Sequence, residues 1–275
     1  GISGTTIQFI SQNQHIPTDW FLSTRTLGSG TILLIISFIL YGKKTFNIFS
    51  TWKSFGHLFA YATLGLMANL LTFYLAIQSG NASAATILQY LSPLFIVLGG
   101  IFIKHQRPLS TDLIAFIISL LGVLLAITKG DLTQMSIPMN SFLWGLGSGI
   151  TAAFYVVLPR PIAQDNPPLV VLGWGTFIAG VLFNIYHPVW INTPHITSTV
   201  VLSISTVILV GTIIPFGLLL YSSRFAPSDV ISIMDALQPV TTSILSVIFL
   251  GLEMNWVEIV GIILVIVAIY ILQRG

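Results

Sequence analysis

Asp235 has the most chemistry to offer in this sequence, because it is a carboxylic acid in the middle of a long apolar run. It stands six residues beyond Asp229, about 9 Å along a helix axis at 1.5 Å per residue. A charge in hydrocarbon costs at least about 2.5–3.5 kcal/mol on the most lenient insertion scales, so such a residue needs a reason. Ser228, Ser232, Asp235, Pro239 and Thr242 recur at steps of four, three, four and three, which is one face of a helix. A polar face of that kind looks into a cavity and not into lipid. Kept from water, a carboxyl favours its protonated form, which suits a proton carrier; charged, it suits a counter-ion for a cationic solute. The competing reading is a neutral, hydrogen-bonded acid that joins helices. Gln238 flanks the stripe.

Other polar residues within apolar runs ask the same question. Gln89 stands 146 residues before Asp235, with Thr86 one turn ahead of it. A glutamine can hold a solute but cannot cycle a proton, and a plain helix–helix hydrogen bond explains it equally well. Pro93 and Pro239 each remove a backbone hydrogen bond and open a helix one turn earlier, as a static kink or as a hinge. Asn69 and Tyr74 can line a cavity or simply pack. Arg25 either snorkels to the headgroups or points inward toward an anionic group. Tyr155 can meet an amphipathic or cationic solute through its ring face, or pack in a core. The tryptophans Trp20, Trp52, Trp190 and Trp256 sit at the ends of apolar runs, where an interface belt is the simplest expectation.

Several other chemistries are excluded. There are no cysteines, so disulfides, thiolate catalysis and Cys-ligated metals are impossible. Gly1-Ile2-Ser3-Gly4 spells a serine-protease-like G-x-S-G, but no histidine lies at the centre of an apolar run to act as its base. Gly145-Leu146-Gly147-Ser148-Gly149 follows no strand and is no nucleotide loop; its small residues permit close helix contact instead. No metal-ligand spacing occurs, and no cofactor is expected.

The elements that must position these residues are membrane helices. Of 275 residues, 55% are hydrophobic and only 7% are charged, against roughly 25% charged in a soluble domain. A net charge of +2 gives no footprint for nucleic acid. Windows of about 20 apolar residues fall at 19–41, 56–77, 82–103, 111–128, 141–158, 169–186, 198–221, 228–250 and 255–272. The residues before Gln12 read as the tail of a further helix whose start is absent, which makes ten. Lys43, Lys44, Lys53, Lys104, Arg107, Arg160, Arg224 and Arg274 lie on one side of this arrangement and only Lys129 on the other. That bias predicts both termini in the cytoplasm of a plasma membrane, the inner or cell membrane of a bacterium.

An offset of 146 residues aligns Gly65 with Gly211, Ile87 with Ile233, Leu91 with Leu237, Pro93 with Pro239 and Ile117 with Ile263. Span and loop lengths coincide as well, which predicts two five-helix copies, residues 1–129 and 140–273. Five is odd, so the second copy enters from the opposite face, a recurrent design of secondary transporters. The segments AATILQYLSPL (84–94) and SDVISIMDALQPV (228–240), with Gly251-Leu252-Glu253, Gly261 and Ala268, resemble EamA-type repeats of the drug/metabolite transporter superfamily. Arg25 matches an arginine common in that family, whereas Gln106-Arg107 replaces its frequent glycine–glutamate pair. The resemblance implies an all-α protein of ten helices in two inverted repeats, around a cavity lined by the third, fourth, eighth and ninth.

The function expected is secondary transport of small amphipathic metabolites, such as amino acids or amines, by alternating access. Proton-coupled export through Asp235 is the first expectation; an uncoupled facilitator, a channel or a partner subunit are the alternatives. The partners expected are a small-molecule substrate, the bilayer and a proton, with monomer and homodimer both open.

Overall fold

The computed structural model describes residues 2–105, 107–215, 218 and 237–274, and every regular element among them is helical. The helices are α1 (Ile2–Gln8), α2 (Thr18–Tyr41), α3 (Trp52–Ala60), α4 (Ala68–Ser79), α5 (Ala82–Gln89), α6 (Ser92–Lys104) and α7 (Ser110–Thr128). They continue as α8 (Met139–Val157), α9 (Arg160–Ala163), α10 (Pro168–Tyr186), α11 (Ser198–Ile208), α12 (Leu237–Leu250) and α13 (Trp256–Arg274). Among the described residues, seven helical stretches are long and apolar enough to cross a membrane, and Ser198–Ile213 and Leu237–Leu250 are shorter apolar helices.

Local chemistry sets the ends. Thr51, Asn81 and Thr197 stand just before α3, α5 and α11 and accept from the backbone N–H of Ser54, Ala84 and Val200. Each satisfies a donor that the first helical turn leaves open. The carboxylate of Asp112 accepts from the Leu109 N–H at 2.8 Å and starts α7. Gly42 ends α2 at a φ of +55°, which a side chain would resist.

The span expected at 82–103 is two helices on one path. Pro93 has no N–H to give Gln89, so α5 stops at Gln89 and Tyr90 and Leu91 form a tight turn. Leu91 N–H reaches back to Leu88 at 3.2 Å, and α6 restarts at Ser92 with the proline in its first turn. Pro239 lies buried in the first turn of α12 as described.

Two compact units divide the chain. One draws on residues 1–8, 72–153 and 226–275, the other on 9–71 and 154–225, in each case through their described members. The first unit packs Ile87, Leu88, Val123, Ile127, Ile262 and Val265 into its core. The second packs Leu33, Leu58, Tyr61, Leu169, Val171 and Ala179.

Glycine lets backbones touch in both units. In the first, a Cβ on Gly261 would lie 2.5 Å from the Ala126 nitrogen, and one on Gly122 would lie 2.8 Å from the Gly261 oxygen, so α7 and α13 meet without side chains between them. In the second, a Cβ on Gly30 would lie 2.5 Å from the Phe177 Cα and one on Gly180 would lie 2.6 Å from the Leu27 nitrogen, which joins α2 to α10 in the same way. Without a hydrophobic force between helices in lipid, such close packing is a main source of cohesion. Shifting Ser110–Thr128 by 146 residues lands on Trp256–Arg274, so α7 and α13 are counterparts in the sequence offset. The same shift carries α2 onto α10.

Large apolar side chains such as Ile39, Phe102, Ile185 and Phe249 are exposed, as a lipid-facing surface requires. Trp52, Trp190 and Trp256 are exposed at span ends, as a belt would have them. Trp20 departs from that expectation: it is buried, because its indole N–H donates to the Val189 carbonyl at 2.8 Å and needs no headgroup. Lys129 is 3.1 Å from the buried Glu258 carboxylate and donates to the Glu253 carbonyl.

Candidate functional site

The second unit encloses a pocket of about 160 Å³. Its walls carry Arg25, Thr26 and Ser29 from α2, Leu66, Asn69 and Leu70 from 66–70, Tyr155 from α8, Leu172 and Thr176 from α10, and Gly211 and Thr212. Arg25, Asn69 and Tyr155 are thus brought to one place from positions 44 and 86 residues apart. Two features of the backbone open this space. The close approach of α2 and α10 at Gly30 sets Ser29 beside Thr176. Wider, π-type turns at Tyr61–Met67 and Leu209–Ile213 then displace the wall on the other side. Such turns are frequent at functional sites. At the offset of 146, the second falls on positions 63–67 of the first, with Gly65 and Gly211 in register.

The polar groups of this pocket are incompletely satisfied. The hydroxyls of Ser29 and Thr176 are buried and have no hydrogen-bond partner. A buried hydroxyl without a partner costs about 1–3 kcal/mol, so two beside one cavity are poised for something that enters it. Among the described residues, none that lines the pocket is acidic and Arg25 forms no ion pair. Thr26 donates to its own helix at Leu22, and Thr212 donates to Val207 at 3.4 Å. The Tyr155 ring lies 5.6 Å from that of Tyr61, and Gly65 admits the Tyr155 backbone, where a Cβ would be 3.1 Å from its Cα.

The first unit treats its polar residues differently. Gln89 donates from Nε2 to the Ser148 hydroxyl at 3.0 Å, which is an interhelical bond between α5 and α8. Gly145 and Gly149 make it possible: a Cβ on either would strike Leu88. Thr86 is buried and donates to the Ala82 carbonyl at 2.7 Å. Tyr74 is 1% exposed, deep in the packing of the unit. The Gln8 side chain accepts from the Ala82 N–H at 2.7 Å, Ser83 meets Ser243 at 2.6 Å, and Thr72 meets Thr151 at 3.1 Å. Gln238 is exposed on α12 while its carbonyl accepts from Thr242. Asp235 and Ser232 lie outside the described residues.

Ser29 and Thr176 escape sequence reasoning, since serine and threonine are ordinary in membrane helices. A signal was present all the same. Ser29-Gly30 and Gly175-Thr176 align at the offset of 146, so each copy places one hydroxyl beside one glycine in opposite order.

A second, larger pocket of about 810 Å³ in the same unit is lined by Lys53, His57, Arg160 and Asp165 together with Asn47, Gln164 and Asn166. It gathers two of the loop cations and forms an open polar basin.

The sequence matches the EamA-like transporter family twice, over residues 1–128 and 139–274. The chain belongs to that family. It is therefore a multi-pass membrane transporter. A relative in Salmonella typhimurium, the uncharacterized inner membrane transporter YicL, is 28% identical over 273 residues, which is 99% of this chain and 91% of its own. One solved crystal structure of a protein superposes with a TM-score of 0.58 over 98% of this chain and 94% of its own at 16% identity, a likeness of fold alone.

Proposed function

We propose that this EamA-family transporter works as a secondary transporter of small amphipathic metabolites, with ten helices in two inverted five-helix repeats, residues 1–129 and 140–273. Its termini face the cytoplasm and the repeats alternate access to a site at membrane depth. The observation that carries the reading is the pocket around Arg25, which gathers an arginine, an asparagine and several hydroxyl side chains within spans that are otherwise apolar. Support for the repeats comes from the two matched halves, the paired counterpart helices and the recurrent π-type turns. Support for the orientation is the basic bias of alternate loops.

Coupling to protons is assigned to Asp235, the one carboxyl deep in an apolar run. Export by antiport alternates it between a protonated and a charged, solute-paired form. The test uses the full chain in liposomes holding a pH-sensitive dye, challenged with pooled amino acids, amines, sugars and nucleosides. Wild type is expected to move protons with one pool, and Asp235→Asn to lose that response while remaining folded. Proton movement at the wild-type rate in the variant removes the role of Asp235. Saturable solute exchange without any proton movement makes the protein a facilitator.

A further inference from the structure

We propose that the pocket of the second unit recognises a carboxylate, with Arg25 taking the acid group of a small aliphatic solute. The inference rests on the transporter reading and deepens it by naming the substrate class. Among the eleven described residues that line the pocket there is one cation and no acidic residue. A guanidinium inside a membrane span without an ion pair keeps its full desolvation cost, and an entering anion relieves it. Its planar fork matches the two oxygens of a carboxylate.

The uncharged groups agree with an anion. Ser29 and Thr176 are 1% and 4% exposed and their buried hydroxyls lack partners, so each has an O–H left to donate beside the pocket. The remaining wall supplies Leu66, Leu70 and Leu172, against which a short hydrocarbon portion can lie. One cation balances a monoanion; a phosphate group would bring nearly twice that charge. The volume of about 160 Å³ is the share of about five water molecules, enough for an acid group and a few carbons. Water alone satisfies hydroxyls but leaves the guanidinium charge unpaired.

The two hydroxyls and the arginine are presented by backbone contacts, not by flexible loops. Ser29 is adjacent to Gly30, whose missing side chain lets α10 close on α2, and that same contact fixes Thr176. The site is thus held by helix packing that any larger residue at position 30 would spoil.

The test reads binding, so that it stands apart from flux. The purified full chain is unfolded by heat in detergent with L-lactate, valine or hexanoate, with lactamide as the uncharged control and with inorganic phosphate. At least one acid is expected to raise the melting temperature of wild type, while lactamide does not. Arg25→Gln should weaken that acid tenfold or more, and Arg25→Lys should recover only part of the loss, because the charge returns without the fork. The double variant Ser29→Ala/Thr176→Val keeps the cation and should weaken it about three- to tenfold, which carries the test if Arg25→Gln does not fold. Lactamide protecting as well as lactate, phosphate protecting more strongly than every acid, no acid protecting, or equal protection of wild type and both variant classes overturns the assignment. Acid binding that depends on Arg25 in a protein that moves no protons leaves this site standing and removes only the coupling role of Asp235.

Discussion

The polar ties of the first unit and the pocket wall of the second spend buried polar residues in opposite ways. In the first, Gln8, Ser83, Gln89 and Thr72 are bonded to Ala82, Ser243, Ser148 and Thr151, each a tie between segments distant in sequence. In the second, Ser29 and Thr176 line the pocket of Arg25 with buried hydroxyls that have no hydrogen-bond partner. The difference teaches that polarity within a span is not by itself a sign of a site. A hydrogen bond between membrane helices contributes about 0.6–2 kcal/mol, so a satisfied residue explains its own presence through stability. An unsatisfied one lowers stability, and where it lines a pocket a bound ligand can offset that cost.

The comparison can be broken first at its common foundation. Both units depend on glycine-mediated backbone contact, so Gly30→Leu and Gly261→Leu should each abolish folding of the unit concerned, seen as loss of a monodisperse species in detergent. The milder Gly30→Ala and Gly261→Ala should each cost about 1–3 kcal/mol from overpacking, measurable as a fall in melting temperature. Equal tolerance of alanine at both sites would show that the helices part easily and that the contacts are not what positions Ser29.

Next come the polar ties. Gln89→Leu removes the interhelical bond to Ser148 and should destabilise by about 0.6–2 kcal/mol, whereas Ser83→Ala removes one side of the Ser243 pair and should cost about 1 kcal/mol. By contrast Ser29→Ala should be neutral or slightly stabilising in the unliganded protein, because it deletes a donor that has no acceptor. Solute uptake into liposomes by Ser29→Ala should nevertheless fall. A destabilising Ser29→Ala would place that hydroxyl with the structural ties and erase the distinction between the units.

The smallest effect belongs to the loop after α7. The Asp131 carboxylate accepts from the Thr133 hydroxyl at 2.6 Å, the Thr133 N–H at 3.0 Å and Gln134 Nε2 at 3.0 Å. The Thr133 and Gln134 donors hold its carboxyl below the ordinary carboxylate range. A lowered folded-state value means these bonds are fully present above the ordinary value and are lost as pH falls through the lowered one. Hydrogen exchange at the Thr133 amide should therefore quicken, after correction for intrinsic rate, only at strongly acidic pH. Asp131→Asn, which has no proton to gain, should remove that acid onset with no change in solute transport.

Much of this architecture was legible before any coordinates. The spans expected at 111–128 and 169–186 begin one residue later than α7 and α10 and end where they end, because the length of an apolar run and the polar residues at its ends together limit where a membrane helix can sit. The break near Pro93 follows from a missing N–H. Trp20 was misread for an equally clear reason: position at a span end says nothing about whether a carbonyl waits nearby, and the Val189 carbonyl is 169 positions away. Gln89 carried two readings that the sequence weighed alike, and the Ser148 hydroxyl supplies the partner that the helix–helix reading called for.

What the sequence by itself determined is the membrane, the helices, their approximate ends and the doubled pattern, since hydropathy, prolines, caps and repeats are properties of neighbouring residues. What only the tertiary structure decided is which polar residues share a wall. Arg25, Asn69, Tyr155 and Thr176 come from four separate helical segments, and whether a hydroxyl is tied or left open depends on where a glycine lets another backbone approach. Helix formation is satisfied within each segment in lipid, so it can be read locally; a pocket is satisfied only between segments, and its chemistry appears when they pack.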